Sequence, residues 1–189
     1  MRDWGLVVPT TEERATSSVS PPGDIELVAA AREGDRGAFA ELYTRYGRMV
    51  YGVLLARVRW AEAEDLVQDV FLTALRRLST LRDASAFGGW LAAIARNRAT
   101  DHLRRAREVA TEDCDSLVDE GPRRRALAIL EIIQSLPVAY RETLTLRLVE
   151  GMTGPEIAAR TGLTPASVRV NLHRGMKQLR ARLGGTEVA

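Results

Sequence analysis

TGPEIAARTGLTPASVRVNLHRGMKQLR, residues 153–180, contains two helix starts and one sharp stop. Thr153 and Glu156 stand at capping-box spacing, with Pro155 in the first turn. Thr161-Gly162 stops that short helix, because glycine takes the left-handed conformation that ends a helix at no steric cost. Thr164 can cap the next helix and Pro165 fits its first turn. In this longer helix, which runs to about Leu183, Val168, Leu172 and Leu179 share one face. Ala166, Arg169, Val170, His173, Arg174 and Lys177 share the opposite face, at i, i+3, i+4, i+7, i+8 and i+11. The pattern predicts a helix-turn-helix. Its outward face carries hydrogen-bond donors and positive charge, as reading a major groove requires. Thr164 and Ser167 stand at its N-terminal end and Asn171 flanks it. Arg169 and Arg174 could each take a guanine bidentately or hold a phosphate. A solvated basic face is the plain alternative, against which the capped short helix and glycine turn weigh.

Working outward, the rest of the chain is also helical by period. Leu127, Ile129, Leu130, Ile133 and Leu136 form one helix, stopped by Pro137. Leu144, Leu146, Leu148 and Val149 lead to Glu150-Gly151. On the far side of an acidic stretch, Ile25, Leu27, Val28 and Ala31 form a short helix ended by Gly34. Asp35 can cap the next, where Phe39, Leu42, Tyr43, Tyr46, Met49, Val50, Val53 and Leu54 recur at 3-and-4 spacing. A third helix, Ala61 to Leu78, has Leu66, Val67, Val70, Phe71, Ala74, Leu75 and Leu78 as its apolar stripe. Leu81 to Ala86 reads as a loop. A fourth helix, Ala86 to Arg107, turns Trp90, Leu91, Ile94, Ala95, Ala99 and Leu103 inward, with Phe87 also at core spacing. No segment alternates as a strand does. The expected fold is all-α: two small helical domains, a bundle over 24–109 and the helix-turn-helix unit over 123–183. A flexible acidic linker, 110–122, joins them, and 1–23 and 184–189 read as disordered tails.

Charge is unevenly placed along the 189 residues, although 27 basic and 25 acidic residues nearly cancel. Residues 1–23 carry −1, 24–109 carry +2, 110–122 carry −5 and 123–189 carry +6. A basic C-terminal third suggests a polyanion partner. A hydrophobic fraction of 46% excludes disorder of the whole chain. A lone cysteine, Cys114, excludes a disulfide scaffold. Cys114, His102 and His173 are too few soft ligands for a structural zinc site, so no metal is expected. No apolar run approaches a membrane span and no secretory leader is visible, so the cytosol is the expected location, without direct membrane insertion. No constellation of nucleophile and base accompanies the acidic residues, which argues against an enzyme and against a cofactor or small-molecule substrate.

Two further polar faces stand out. In the fourth helix, Arg96, Asn97, Thr100, Asp101, Arg104 and Arg105 form a stripe, with the Leu81 to Ala86 loop (Arg82, Asp83 and Ser85) at its N-terminal end. Arginines and an amide beside a loop can follow a nucleic-acid backbone and pocket an unstacked base. A solvated face with Asp101 paired to Arg104 or Arg105 fits the same residues. In the third helix, Glu62, Asp65 and Asp69 line one face with Gln68 beside them, a pattern that by itself is usually solvated.

Together these segments resemble a known family. Ala63-Glu64-Asp65-Leu66-Val67-Gln68-Asp69-Val70-Phe71 resembles the polymerase-binding region 2.2 of bacterial extracytoplasmic-function (ECF) sigma factors. Phe87-Gly88-Gly89-Trp90-Leu91, Ile94-Ala95-Arg96-Asn97 and Asp101-His102-Leu103-Arg104-Arg105 resemble regions 2.3 to 2.4. Leu136-Pro137, Arg141-Glu142, Leu146-Arg147, Glu150-Gly151-Met152, Glu156-Ile157-Ala158 and Val168-Arg169 through Leu172-His173-Arg174-Gly175 resemble region 4. Val170-Asn171 departs from the Ser-Arg of many relatives, and Met176 from their arginine.

The resemblance implies a sigma factor with regions 2 and 4 only, which recruits core RNA polymerase to promoters. It assigns Glu62, Asp65, Leu66, Gln68, Asp69 and Phe71 to polymerase. It assigns the loop and fourth-helix stripe to the melted minus-ten strand, with Asn97 foremost and the loop as pocket for a flipped base. It assigns the last helix to duplex minus-thirty-five DNA. It further implies an anti-sigma partner. The acidic linker reads either as a solubilising tether or as a segment that threads a basic channel of polymerase in place of nucleic acid. A stand-alone helix-turn-helix regulator is the rival reading; such proteins usually dimerise on half-sites.

Overall fold

The computed structural model describes residues 22–109 and 122–184. Both tails and the acidic linker lie almost wholly outside these residues, and with the linker the two readings made of it. Eight helices follow one another among the described residues. They are α1 (Asp24–Arg32), α2 (Arg36–Leu55), α3 (Trp60–Arg77), α4 (Phe87–Val109), α5 (Pro122–Gln134), α6 (Val138–Leu148), α7 (Gly154–Thr161) and α8 (Pro165–Gly184). No strand occurs among the described residues.

The ends of these helices follow local chemistry. The Asp35 carboxylate accepts from the N–H groups of Gly37 (2.7 Å) and Ala38 (3.1 Å) and so starts α2. Thr153 and Glu156 close a reciprocal box at the start of α7, with Thr153 N–H donating to Glu156 Oε2 at 2.7 Å. Gly162, at φ +72°, ends α7 in the left-handed conformation. The Thr164 hydroxyl accepts from Ser167 N–H at 3.1 Å and starts α8.

In the first half, α2 is the central rod. Its Leu42, Met49, Val50, Val53 and Leu54 are fully enclosed by Val70, Phe71 and Ala74 of α3 and Phe87, Leu91, Ala95 and Ala99 of α4. The stretch expected to be a loop is more ordered than that. It holds a 3-10 turn at Ala84–Ala86, preceded by another at Leu78–Thr80. Arg32 of α1 donates to the carbonyls of Leu78 (3.3 Å) and Leu81 and pins the segment from below.

Several apolar residues expected inside lie outside. Ile25, Leu75, Leu103, Ile129, Leu148 and Val149 are exposed. Val149 lies just past the end of α6, and each of the others sits on the edge of its helix's apolar arc, where a period cannot tell which flank has a neighbour. The second half does not stand apart from the first. Leu130, Leu146, Met152, Ile157, Ala158 and Val168 join the core of the bundle, and among the described residues Ile133, Leu136, Leu144 and Leu179 form a smaller core of their own. α7 packs on α4, and α6 on α2.

Candidate nucleic-acid interface

The α8 face is as the period predicts. Ala166, Arg169, Val170, His173, Arg174 and Lys177 are all exposed, as are Thr164 and Ser167, and Asn171 is half-exposed. Val168 and Leu179 are buried beneath them. The Thr164 hydroxyl donates to Ser167 Oγ at 2.8 Å, which fixes both hydroxyls at the helix start.

The α4 stripe is divided. Asn97, Thr100, Arg104 and Arg105 are exposed and Asp101 is half-exposed. Thr100 donates back to the Arg96 carbonyl at 2.9 Å, and Arg104 approaches Asp101 at 3.4 Å, the local pair expected on a solvated face. In the loop before α4, Asp83 Oδ1 accepts from Ser85 Oγ (2.7 Å) and Ser85 N–H (2.9 Å), bonds that hold its carboxyl below the usual range. Arg82 and Ser85 face solvent.

Arg96 does not lie free with its neighbours. It forks onto Glu142 of α6, Nε to Oε2 at 3.0 Å and Nη2 to Oε1 at 2.7 Å, and Nη2 also reaches the Thr161 carbonyl at 3.3 Å. Arg57, just beyond α2, closes on the same carboxylate, Nη2 to Oε2 at 2.8 Å. The Glu142 side chain is 7% exposed, against 15% for Arg57 and 28% for Arg96. Burial by itself would raise the Glu142 carboxyl; Arg96 first, then Arg57, outweigh that and hold it below the usual range. The same bonds raise the Arg96 guanidinium.

Other bonds cross the same seam. Gln134 Nε2 donates to the carbonyls of Leu55 and Val58, both at 2.8 Å, satisfying groups at the C-terminal end of α2. Arg48 donates to Glu150 Oε2 at 3.1 Å, and Arg160 to the Arg45 carbonyl at 2.6 Å.

On α3 the acidic stripe splits as well. Asp69 holds Arg98 at 2.5 Å and Glu62 approaches His102 at 3.4 Å, so both brace α3 against α4. Leu66 and Phe71 are buried and support the helix from within. Asp65 and Gln68 face outward, and Leu72 and Leu75 continue their line at i+3, i+7 and i+10. Leu72 is 51% and Leu75 47% exposed. The sequence placed Leu75 in the apolar stripe and did not single out Leu72. Two outward leucines in line with an acid and an amide were the available signal.

Two family models match the chain: sigma-70 region 2 over residues 42–109 and sigma-70 region 4 over residues 126–179. The chain belongs to the sigma-70 family. It is of the ECF type. It is 36% identical over 167 residues to the RNA polymerase sigma factor CarQ of Myxococcus xanthus, covering 83% of this chain and 95% of that one. It is 31% identical over 166 residues to the ECF RNA polymerase sigma factor SigM of Mycobacterium tuberculosis, covering 85% of each. Among solved structures it resembles CnrH, determined in complex with the cytosolic domain of CnrY. The TM-score is 0.62 at 27% identity, over 86% of this chain and 97% of that one. As an ECF sigma factor the chain is a transcription-initiation factor that acts with RNA polymerase on promoter DNA.

Proposed function

We propose that this sigma factor works through three separate faces. The outward line of α3, Asp65, Gln68, Leu72 and Leu75, docks on core polymerase. The α4 stripe led by Asn97, with the Arg82 to Ser85 turn beside it, holds the melted minus-ten strand. The exposed face of α8 reads the minus-thirty-five duplex. The observation that carries this reading is the pairing of an open donor-bearing helix face in the second half with an apolar-and-acidic face in the first. A stand-alone DNA reader has no use for the latter. The chain performs no chemistry of its own and works in the cytoplasm, beside polymerase. CnrH was solved with CnrY, and a protein partner of that kind is proposed here as the restraint on activity.

Arg169 supplies the test. It lies one turn into α8, where recognition helices meet base edges, whereas Arg174 lies further along, beside the backbone. Arg169→Ala should cost about 1–3 kcal/mol of minus-thirty-five binding in the holoenzyme, concentrated at one base pair. Arg174→Ala should weaken all sequences alike and lower the salt slope by about one. Binding of each variant holoenzyme to a panel of single-base promoter variants separates the two effects. Identical profiles for both variants and the unchanged protein would refute the assignment of α8.

A further inference from the structure

We infer that Val170 reads a thymine of the minus-thirty-five element through the methyl group on that base. The inference deepens the assignment of α8 to duplex DNA and rests on it.

The rotation of α8 about its axis is fixed by what it packs against. Val168 and Leu179 are buried. Gly175 is buried too, and a Cβ added there would meet Leu144 Cδ1 at 3.0 Å and Tyr140 Cβ at 3.1 Å, both of α6. With about 100° of turn per residue, Val170 points roughly 200° round the axis from Val168 and roughly 180° from Leu179. It stands at the pole of the exposed face, with Ala166 one turn before it and Lys177 two turns after. Arg169 and Arg174 stand on opposite flanks, about 100° and about 120° from Val168. Arg169 lines the crease between α7 and α8, beside Pro155 and Ala159. The side chain aimed most directly at a docked duplex is thus an apolar one.

Val170 is 44% exposed. A single exposed valine is ordinary on most surfaces. Here it interrupts a set of donors, with Arg169, Asn171, His173, Arg174 and Lys177 around it. It does not favour the helix either, since a β-branched residue forms helix less readily than alanine. Against a major groove its value is different. Base edges there present hydrogen-bond donors and acceptors and one apolar group, the C5 methyl of thymine. A valine pressed on any other edge would strip water from a polar atom and give no hydrogen bond in return. Pressed on a thymine, two apolar groups leave water together. A β-branched side chain in a helix also holds one strongly preferred χ1 rotamer. Its methyls are therefore in place before DNA arrives, and little rotamer entropy is lost on contact.

The experiment uses holoenzyme formed from core polymerase and the full chain, unchanged and as Val170→Ser and Val170→Ala, which both withdraw the two Cγ methyls. The unchanged holoenzyme first selects its element from synthetic promoter duplexes randomised over the minus-thirty-five region, in which thymine carries the only base methyl. Each thymine of the selected element is then replaced in turn by deoxyuridine, which pairs identically and lacks only that methyl. Fluorescence anisotropy gives the affinity for each duplex. One position should respond with an about fourfold loss, the worth of burying one methyl group. In both variants that response should vanish, the thymine duplex being bound as weakly as its deoxyuridine counterpart. Circular dichroism should show unchanged helix content. A selected element in which no deoxyuridine weakens binding would overturn the proposal. So would a methyl response of equal size in both variants, which would assign the contact to another residue. Loss of helix content in both variants would also overturn it, by making the valine a support of α8. If the unchanged holoenzyme selects no element at all, the assignment of α8 to the duplex fails and takes this proposal with it. That result is distinct from a selected element that ignores the methyl.

Discussion

Replacing Leu72 and Leu75 together by aspartate should lower the affinity for core polymerase by about a hundredfold or more, with helix content unchanged. Both side chains are about half exposed on α3, and neither belongs to the bundle core, to which this helix contributes Ala63, Leu66, Val67, Val70, Phe71 and Ala74. Apolar anchors at the centre of an interface each contribute about 2 kcal/mol when truncated, and two such losses amount to roughly a thousandfold. Aspartate adds the cost of desolvating a charge against the partner. Charge reversal at Asp65 is a second probe of the same face. Asp69 is a poor one, since it holds Arg98 at 2.5 Å and its reversal would loosen α3 from α4. Titration of labelled core polymerase by each variant measures the effect. Assembly within a factor of three of the unchanged protein would remove α3 from the polymerase interface.

Phe87→Ala should lower the stability of the folded chain by about 3–5 kcal/mol, the usual cost of emptying a core aromatic site. Phe87 is fully buried at the first position of α4. Its ring meets Tyr46 edge-on at 5.1 Å and Trp90 at 5.9 Å. Tyr46 in turn donates to Asp24 at 2.5 Å and lies under Arg160 at 5.9 Å, so the ring cluster ties α1, α2, α4 and α7 together. A chain of this size loses about 2–4 °C of melting temperature per kcal/mol, which predicts a fall of roughly 6–20 °C. Calorimetry or thermal circular dichroism reads it directly. A fall of only a degree or two would mean that the site closes up around the missing ring and that the cluster is not what fixes the start of α4.

Periodicity made the helices legible, because an apolar stripe at 3-and-4 spacing falls on one face of a helix and on both faces of a strand. The α8 face and the α7 capping box were readable because their signals are local. The exposed flanks were not. Leu75 and Leu103 fit an apolar stripe as well as their buried neighbours do, and only packing decides which edge of the arc is covered. The seam was the least legible feature. Glu142, Gln134 and Arg57 carry no pattern along the chain, since their partners lie tens of residues away. Gly89 and Gly162 look like ordinary helix-end residues until the two backbones are seen to touch. Arg96 shows the consequence. Its helical register placed it in the α4 stripe with Asn97 and Thr100, and its actual partner is a carboxylate from the other half.

Run-off transcription with purified components is the decisive measurement. Core polymerase free of any sigma factor is given a template carrying the cognate minus-ten and minus-thirty-five elements, with and without this chain. The expected outcome is a transcript of defined start only when the chain is present, lost when either element is scrambled. Free chain should give no footprint at concentrations where the holoenzyme gives a full one. The contradicting result is polymerase that gains no specific start from the chain, together with free chain that protects paired half-sites tightly by itself.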